Sequence, residues 1–126
     1  MIDERPYHYV TVRLPWMPKV LSPNARVTIF QKAKAFKVYK NRVFRLAKDI
    51  LKDCTLLRHY HPLYNHGRVH IGITFYPPAH YHYDEDNMVA SFKAGCDGIR
   101  DVVGVDDHWF HYIPDVGPWI VPDGCV

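Results

Sequence analysis

Two aspartates stand two residues apart in Tyr83-Asp84-Glu85-Asp86-Asn87, and a further acidic pair, Asp106-Asp107, follows Gly104-Val105. On an extended segment the side chains of residues i and i+2 point the same way, which predicts that Asp84 and Asp86 share a face. Asp106 and Asp107 would project to opposite sides if extended, so only one of them is expected to join the same pocket. Carboxylates gathered in this way repel one another unless a divalent cation lies between them. Such an ion, held with open positions, can activate water and relieve charge on a phosphodiester. This chemistry makes Asp84, Asp86 and Asp107 candidate catalytic carboxylates and metal ligands, with Mg²⁺ as cofactor. Lys93 is expected about two turns into the following helix, on the face that carries Asp86, Ala90 and Asp97. It could reach the phosphate or orient water, and Asp97 could pair with it or act as an outer ligand. Asn87 and Asp106 complete the candidate set. Each piece also has a plain structural explanation. An Asp-x-Asp-Asn run often caps a helix and supplies its acidic first turn, and Asp-Asp after glycine is often a turn.

Charge supplies the complement. Residues 1–68 hold 14 Lys and Arg against 4 Asp and Glu, whereas residues 69–126 hold 2 against 9. A basic surface that precedes an acidic site points to a polyanionic partner. Arg26, Lys32, Lys34 and Lys37 are the candidate phosphate contacts. A solvated basic helix beside acidic loops would give the same count.

The elements that must position these residues follow from periodicity. His8 to Leu14 alternates, with Val10, Val12 and Leu14 on one face, and predicts a strand that Pro15-Trp16-Met17-Pro18 ends. A turn-rich loop covers Leu21 to Arg26. From about Ala33 to Cys54 the period is helical. Phe36, Tyr39, Val43, Ala47, Ile50 and Cys54 form the apolar face, and Lys34, Lys37, Asn41, Arg45, Lys48 and Lys52 form a basic outer stripe. Arg68 to Tyr76 predicts a half-buried strand with Val69, Ile71, Ile73 and Phe75 inward. A second helix is expected from Asp86 or Asn87 to about Arg100, with Met88, Phe92, Cys96 and Ile99 toward the core. Trp109–Ile113 and Trp119–Val121 are short strand candidates. The order of elements predicts a single domain over residues 1–126, α+β with a small mixed sheet and two main helices, or else a small α/β one.

The 126 residues, 48% hydrophobic, suffice for one core. No apolar run approaches the roughly 18 residues of a membrane helix, and the charged start lacks a signal peptide's apolar stretch. A cytoplasmic protein with no membrane partner is expected. Three cysteines, Cys54, Cys96 and Cys125, form no Cys-x-x-Cys pair. Nine histidines include His59-Tyr60-His61 and His80-Tyr81-His82, spacings that match no strong zinc motif. Tyr76, Tyr81 and Tyr83 could stack on unpaired bases or pack as strand residues.

Taken in order, Asp84-Glu85-Asp86-Asn87, then Lys93 with Asp97-Gly98, then Gly104-Val105-Asp106-Asp107, resemble the RusA family of Holliday-junction resolvases. Leu14-Pro15-Trp16-Met17-Pro18 and Ser22-Pro23-Asn24-Ala25-Arg26 resemble that family's opening strand and loop. The resemblance spans roughly residues 9–113. It implies a homodimeric α+β endonuclease that binds four-way DNA junctions and resolves them by paired symmetric cuts with Mg²⁺ or Mn²⁺. It also implies catalytic carboxylates at Asp84, Asp86 and Asp107, with Lys93 assisting. Two departures stand out. Some members place the lysine three residues after the asparagine, whereas Lys93 is six after Asn87. Members also usually extend further at the C-terminus; here Pro114, Pro118 and Pro122 follow Ile113, which implies a lost edge strand. Two rival functions are a non-catalytic DNA-binding module using the same basic surface and a nuclease of flaps or other branched DNA.

Overall fold

The structure, a computed structural model, describes residues 10–52, 69–79, 84–104 and 110–126. Its first helix, α1 (Ile29–Leu51), begins four residues earlier than the apolar period suggests. A capping box sets the start. The Thr28 hydroxyl accepts from the Gln31 amide at 3.1 Å, and the Gln31 side chain accepts from the Thr28 amide at 3.0 Å. Two amide groups at the helix start are thereby satisfied reciprocally. Tyr39, Val43 and Ala47 are buried as the period predicts, and Phe36 packs against the core. Ile50 is instead 46% exposed, and Cys54 lies outside the described residues. The basic stripe Lys34, Lys37, Asn41, Arg45, Lys48 and Lys52 is exposed along its length.

Strand β1 (Val69–Phe75) pairs in parallel with β2 (Phe110–Val116), with Ile71 opposite Tyr112 and Ile73 opposite Pro114. Parallel neighbours need a crossover. Helices α2 (Glu85–Ser91) and α3 (Lys93–Val103) lie on that crossover. Ile73 and Phe75 are buried and Ile71 is half-buried, while His70 and Gly72 are exposed, so the alternation expected for this strand holds. β2 passes through Pro114 and continues to Val116, beyond the expected end at Ile113. Proline is compatible with an edge strand, where its missing N–H interrupts no ladder.

Three other expectations are corrected. Residues 10–14 form no strand. Leu14 exchanges a reciprocal backbone pair with Val126, at 2.7 and 2.9 Å, and Val10 is 41% exposed. Cys125 makes isolated antiparallel bridges to Pro15 on one side and Tyr76 on the other. Trp119–Val121 is likewise not a strand; the Trp119 ring stacks on Tyr76 at 5.9 Å. The second helix, finally, is two helices, which gives three α-helices among the described residues where two main helices were expected. Phe92 breaks it with φ −91° and ψ 3°, its amide shared between the Met88 and Val89 carbonyls at 3.0 and 3.2 Å.

The break has a packing cause. The Phe92 ring is 1% exposed and meets Phe75 edge-on at 5.9 Å and Tyr39 at 6.3 Å. Edge-to-face contacts of this kind add to the area buried. Trp16 extends the cluster onto Phe75 at 6.2 Å, so one aromatic core joins the N-terminal loop, α1, β1 and the α2–α3 junction. α3 packs along α1. At Gly98 an added Cβ would lie 2.8 Å from the Lys40 carbonyl oxygen, so glycine is what permits this approach. Lys40 also pairs with Asp101 across the two helices at 3.2 Å. α3 ends at Gly104, whose φ of 73° is the left-handed cap that glycine adopts without strain. The described residues thus form a small α+β arrangement with a two-stranded parallel sheet. No helix among them is long and apolar enough to cross a membrane.

Candidate functional site

An open cleft of about 490 Å³ lies between the N-terminal loop and α2. Its α2 wall is formed by Asp84, Asn87, Met88 and Ser91. These recur at steps of three, one and three, which is one side of a helix. Asp84 is the N-cap. Its Oδ1 accepts from the Asp86 amide at 2.9 Å. The Ser91 hydroxyl donates to the Asn87 carbonyl oxygen at 2.7 Å, which keeps it on the helix backbone.

The opposite wall is formed by Trp16, Met17, Pro18, Lys19, Ser22, Asn24 and Ala25. A single 3-10 turn at Lys19–Leu21 shapes it, with the Leu21 amide donating to the Pro18 carbonyl at 3.0 Å. The Asn24 amide donates to the Ser22 hydroxyl at 3.3 Å and the Ala25 amide to the Ser22 carbonyl at 3.0 Å, a compact turn. The Tyr39 hydroxyl anchors this wall from α1 by donating to the Pro15 carbonyl at 2.6 Å. Burial pushes the Tyr39 phenol well above its ordinary range.

The cleft therefore joins the beginning of the acidic segment to the loop that carries Ser22-Pro23-Asn24. Asp84 and Asn87 face it together with Lys19, Ser22 and Asn24. Asp86 does not line it, contrary to the expectation that it shares a face with Asp84. Asp86 is the second residue of α2 rather than part of an extended segment, and helical residues two apart do not face the same way. Lys93 is exposed and begins α3 after the break at Phe92, so the expected face running from Asp86 through Ala90 to Lys93 and Asp97 is interrupted. Asp97 is paired with Arg100 at 3.7 Å.

Asp106 and Asp107 lie outside the described residues, as do His59, His61, His80, His82, Tyr81, Tyr83 and Trp109. Among the described residues no group of three His, Cys, Asp or Glu side chains is assembled. On the α2 wall of the cleft the oxygen donors include the Asp84 carboxylate and the Asn87 amide. Both offer hard oxygen ligands of the kind Mg²⁺ takes, and this ion is commonly held by one or two carboxylates while keeping several waters.

Of the candidate phosphate contacts, Arg26, Lys34 and Lys37 are exposed and Lys32 is half-buried on the core side of α1. Arg26 directly follows the cleft residue Ala25, so the basic surface continues from the cleft rim onto the helix. Lys19 was not among the candidates suggested by sequence. It stands in the loop just after Trp16 and Pro18, with no helical or strand period to mark it.

No protein-family model matches the chain. A protein of Xylella fastidiosa described as "Uncharacterized protein" is 39% identical over 100 residues, covering 79% of this chain and 61% of that protein. The chain thus spans less than two thirds of that relative's length.

Proposed function

We propose that this protein is a metal-dependent endodeoxyribonuclease that binds four-way DNA junctions and resolves them by paired symmetric cuts as a homodimer. The observation that carries the reading is the cleft in which Asp84 and Asn87 face Lys19, Ser22 and Asn24. Its lining includes residues from several of the segments on which the resemblance to the RusA family rests, Trp16 and Pro18, Ser22 and Asn24, and Asp84 with Asn87. In this reading Asp84 and Asn87 hold Mg²⁺ or Mn²⁺, and Asp86 and Asp107 are the further carboxylates that the resemblance names. When bound, the ion supplies charge neutralisation at the phosphodiester and acidifies a water for attack.

The chain's own residues do the rest. Lys19 attracts the phosphate into the cleft, and the Ser22 and Asn24 side chains offer donors to its oxygens. The Asp84 oxygen bonded to the Asp86 amide is held in place by the helix cap, which fixes the carboxylate's direction toward the cleft. Lys93 assists from the start of α3. Arg26, Lys34 and Lys37 hold the flanking phosphates, a contribution to affinity that carries no sequence information.

The test is incubation of the full chain with end-labelled four-way junctions and with linear duplex, in Mg²⁺, in Mn²⁺ and in EDTA. Paired cuts at symmetric positions in the metal arms only are the expected result. Binding of both DNAs without cutting under every condition would instead establish a DNA-binding module on the same basic surface. Cutting confined to flaps or single-stranded branches would redirect the substrate assignment.

A further inference from the structure

The first turn of α1 carries two almost fully exposed apolar side chains, Ile29 at 85% and Phe30 at 88%. Isolated exposed apolar residues are ordinary on protein surfaces. The setting of Phe30 is not ordinary. The capping box closes on either side of it, so the turn that presents the ring is fixed before any partner arrives. Phe30, Lys34, Lys37, Val38 and Asn41 fall at steps of four, three, one and three, and all five are exposed on one face of the helix. The surrounding charge is nearly of one sign: residues 19–52 hold ten Lys and Arg and a single acidic residue, Asp49.

An aromatic ring rigidly presented among cations suits a partner with anionic groups alternating with flat apolar surfaces. DNA with unpaired bases has that composition, because its phosphates meet the cations while a base offers a π-face to the ring. An anionic lipid surface would also match the charge. It calls for a broad apolar face, however, and this face of α1 is predominantly Lys, Asn and Arg. Position adds to the case. Ala25 lines the cleft and Phe30 is five residues on, so the chain limits their separation to roughly 18 Å, on the order of five nucleotides of one strand.

We propose that Phe30 stacks on an unpaired base of bound DNA, with Arg26, Lys34 and Lys37 holding the phosphates around it. The proposal rests on the DNA-binding reading above and adds to it a preference for DNA whose bases are exposed. The probes are a single-stranded oligonucleotide, a four-way junction and a continuous duplex. The first two carry 2-aminopurine at an unpaired or crossing position. Wild-type chain is compared with Phe30→Ala, Phe30→Trp and Phe30→Leu. Because the ring is exposed, all four should unfold at the same temperature. Phe30→Ala is expected to weaken binding to the single strand and the junction roughly tenfold and to abolish the change in 2-aminopurine fluorescence. Its affinity for duplex, and the dependence of that affinity on salt, should stay as in wild type. Phe30→Trp should restore the preference and Phe30→Leu should not, since leucine is apolar but does not stack.

Equal affinity of wild type and Phe30→Ala for all three DNAs overturns the proposal while leaving the DNA-binding reading intact. So does full retention by Phe30→Leu, or a loss in Phe30→Ala confined to sedimentation with anionic vesicles. Absence of any binding by wild type overturns the DNA-binding reading itself, and this proposal with it.

Discussion

The Tyr39 hydroxyl donates to the Pro15 carbonyl oxygen at 2.6 Å, a bond between residues 24 apart that ties the middle of α1 to the base of the cleft's N-terminal wall. Tyr39 is 3% exposed, and its ring also meets Phe92 at the junction of α2 and α3. One side chain thus touches both elements that bear the cleft walls. Tyr39→Phe should keep the ring packing and leave the Pro15 carbonyl without this donor. A loss of about 1–2 kcal/mol is expected in denaturant unfolding. The substitution should also change the pH dependence. Burial disfavours the phenolate, so the folded-state pKa of Tyr39 lies above the ordinary 10.0. Its contribution to stability is therefore complete below about pH 10 and is lost as pH rises past that value, where the unfolded chain releases the proton and the folded one retains it. Unfolding curves between pH 8 and 11 should fall more steeply for wild type than for Tyr39→Phe.

Gly98 sets the spacing of α3 against α1. A Cβ there would lie 2.8 Å from the Lys40 carbonyl oxygen and 3.2 Å from Val43 Cβ, and Val43 is fully buried. The obstruction is backbone and a packed β-branched residue, neither of which yields readily. Gly98→Ala should cost about 1–3 kcal/mol in spite of alanine's better helix propensity. Gly72→Ala is the matched control, because a Cβ there meets nothing within 4 Å. Thermal unfolding should show a lower Tm for the first and none of that loss for the second.

How much of this was legible beforehand depended on whether the determinant was local. The alternation of Ile71, Ile73 and Phe75 and the period of Tyr39, Val43 and Ala47 are single-element patterns, and both elements formed where they point. The capping box of Thr28 and Gln31 is also local and could have given the start of α1, but the apolar period begins later and dominates the reading. Asp84 and Asn87 were named from sequence as candidates, yet their relationship depends on where α2 starts. With Asp84 as N-cap the spacing to Asn87 becomes helical and that between Asp84 and Asp86 does not. The break at Phe92 was not readable, since Phe92 fits the helical period and the break accompanies packing against Phe75 and Tyr39, both distant in sequence. Nor was the opposite wall of the cleft, where Trp16, Lys19 and Asn24 meet α2 only through tertiary structure.

The basic face of α1 should act on DNA of every shape. Lys34 and Lys37 are exposed and one turn apart. Reversal of both to glutamate should weaken binding to junction, single strand and duplex by similar factors and flatten the slope of log affinity against log salt. A gel-shift series from low to moderate salt measures this. Salt-independent binding by wild type would mean that this stripe is only a solvated helix face.

Symmetric resolution also makes a prediction about assembly. The two strands cut in a four-way junction are related by a two-fold axis, and a C2 dimer presents two sites with the same relation. The full chain should scatter light as a dimer at micromolar concentration, alone or with junction DNA. Trp119, 64% exposed and stacked on Tyr76, is one aromatic that such an interface would cover. A monomer under both conditions would be incompatible with paired cutting and would favour nicking or binding alone.

Asp84 offers a way to separate a ligand from a cap. As N-cap it accepts from the Asp86 amide, and asparagine serves that structural purpose about as well as aspartate. Asp84→Asn should therefore leave thermal unfolding nearly unchanged, whereas Asp84→Ala should cost about 1 kcal/mol. Charge behaves differently. If the carboxylate holds a divalent ion at the cleft, Asp84→Asn removes a negative ligand together with a repulsion toward phosphate. Cleavage of a labelled junction should then be abolished, with DNA binding kept or tightened. Asp86→Asn, on the exposed side of α2, is expected from the family resemblance to abolish cleavage as well. The geometry of the cleft sets the two apart: Asp84 lines it and Asp86 does not. Loss of cutting in Asp84→Asn alone would make Asp84 the ligand and Asp86 a helix-start charge. Loss in both would require the acidic segment to act as a unit. Normal cutting by Asp84→Asn at saturating Mg²⁺ would reduce Asp84 to a cap and remove the cleft from the mechanism.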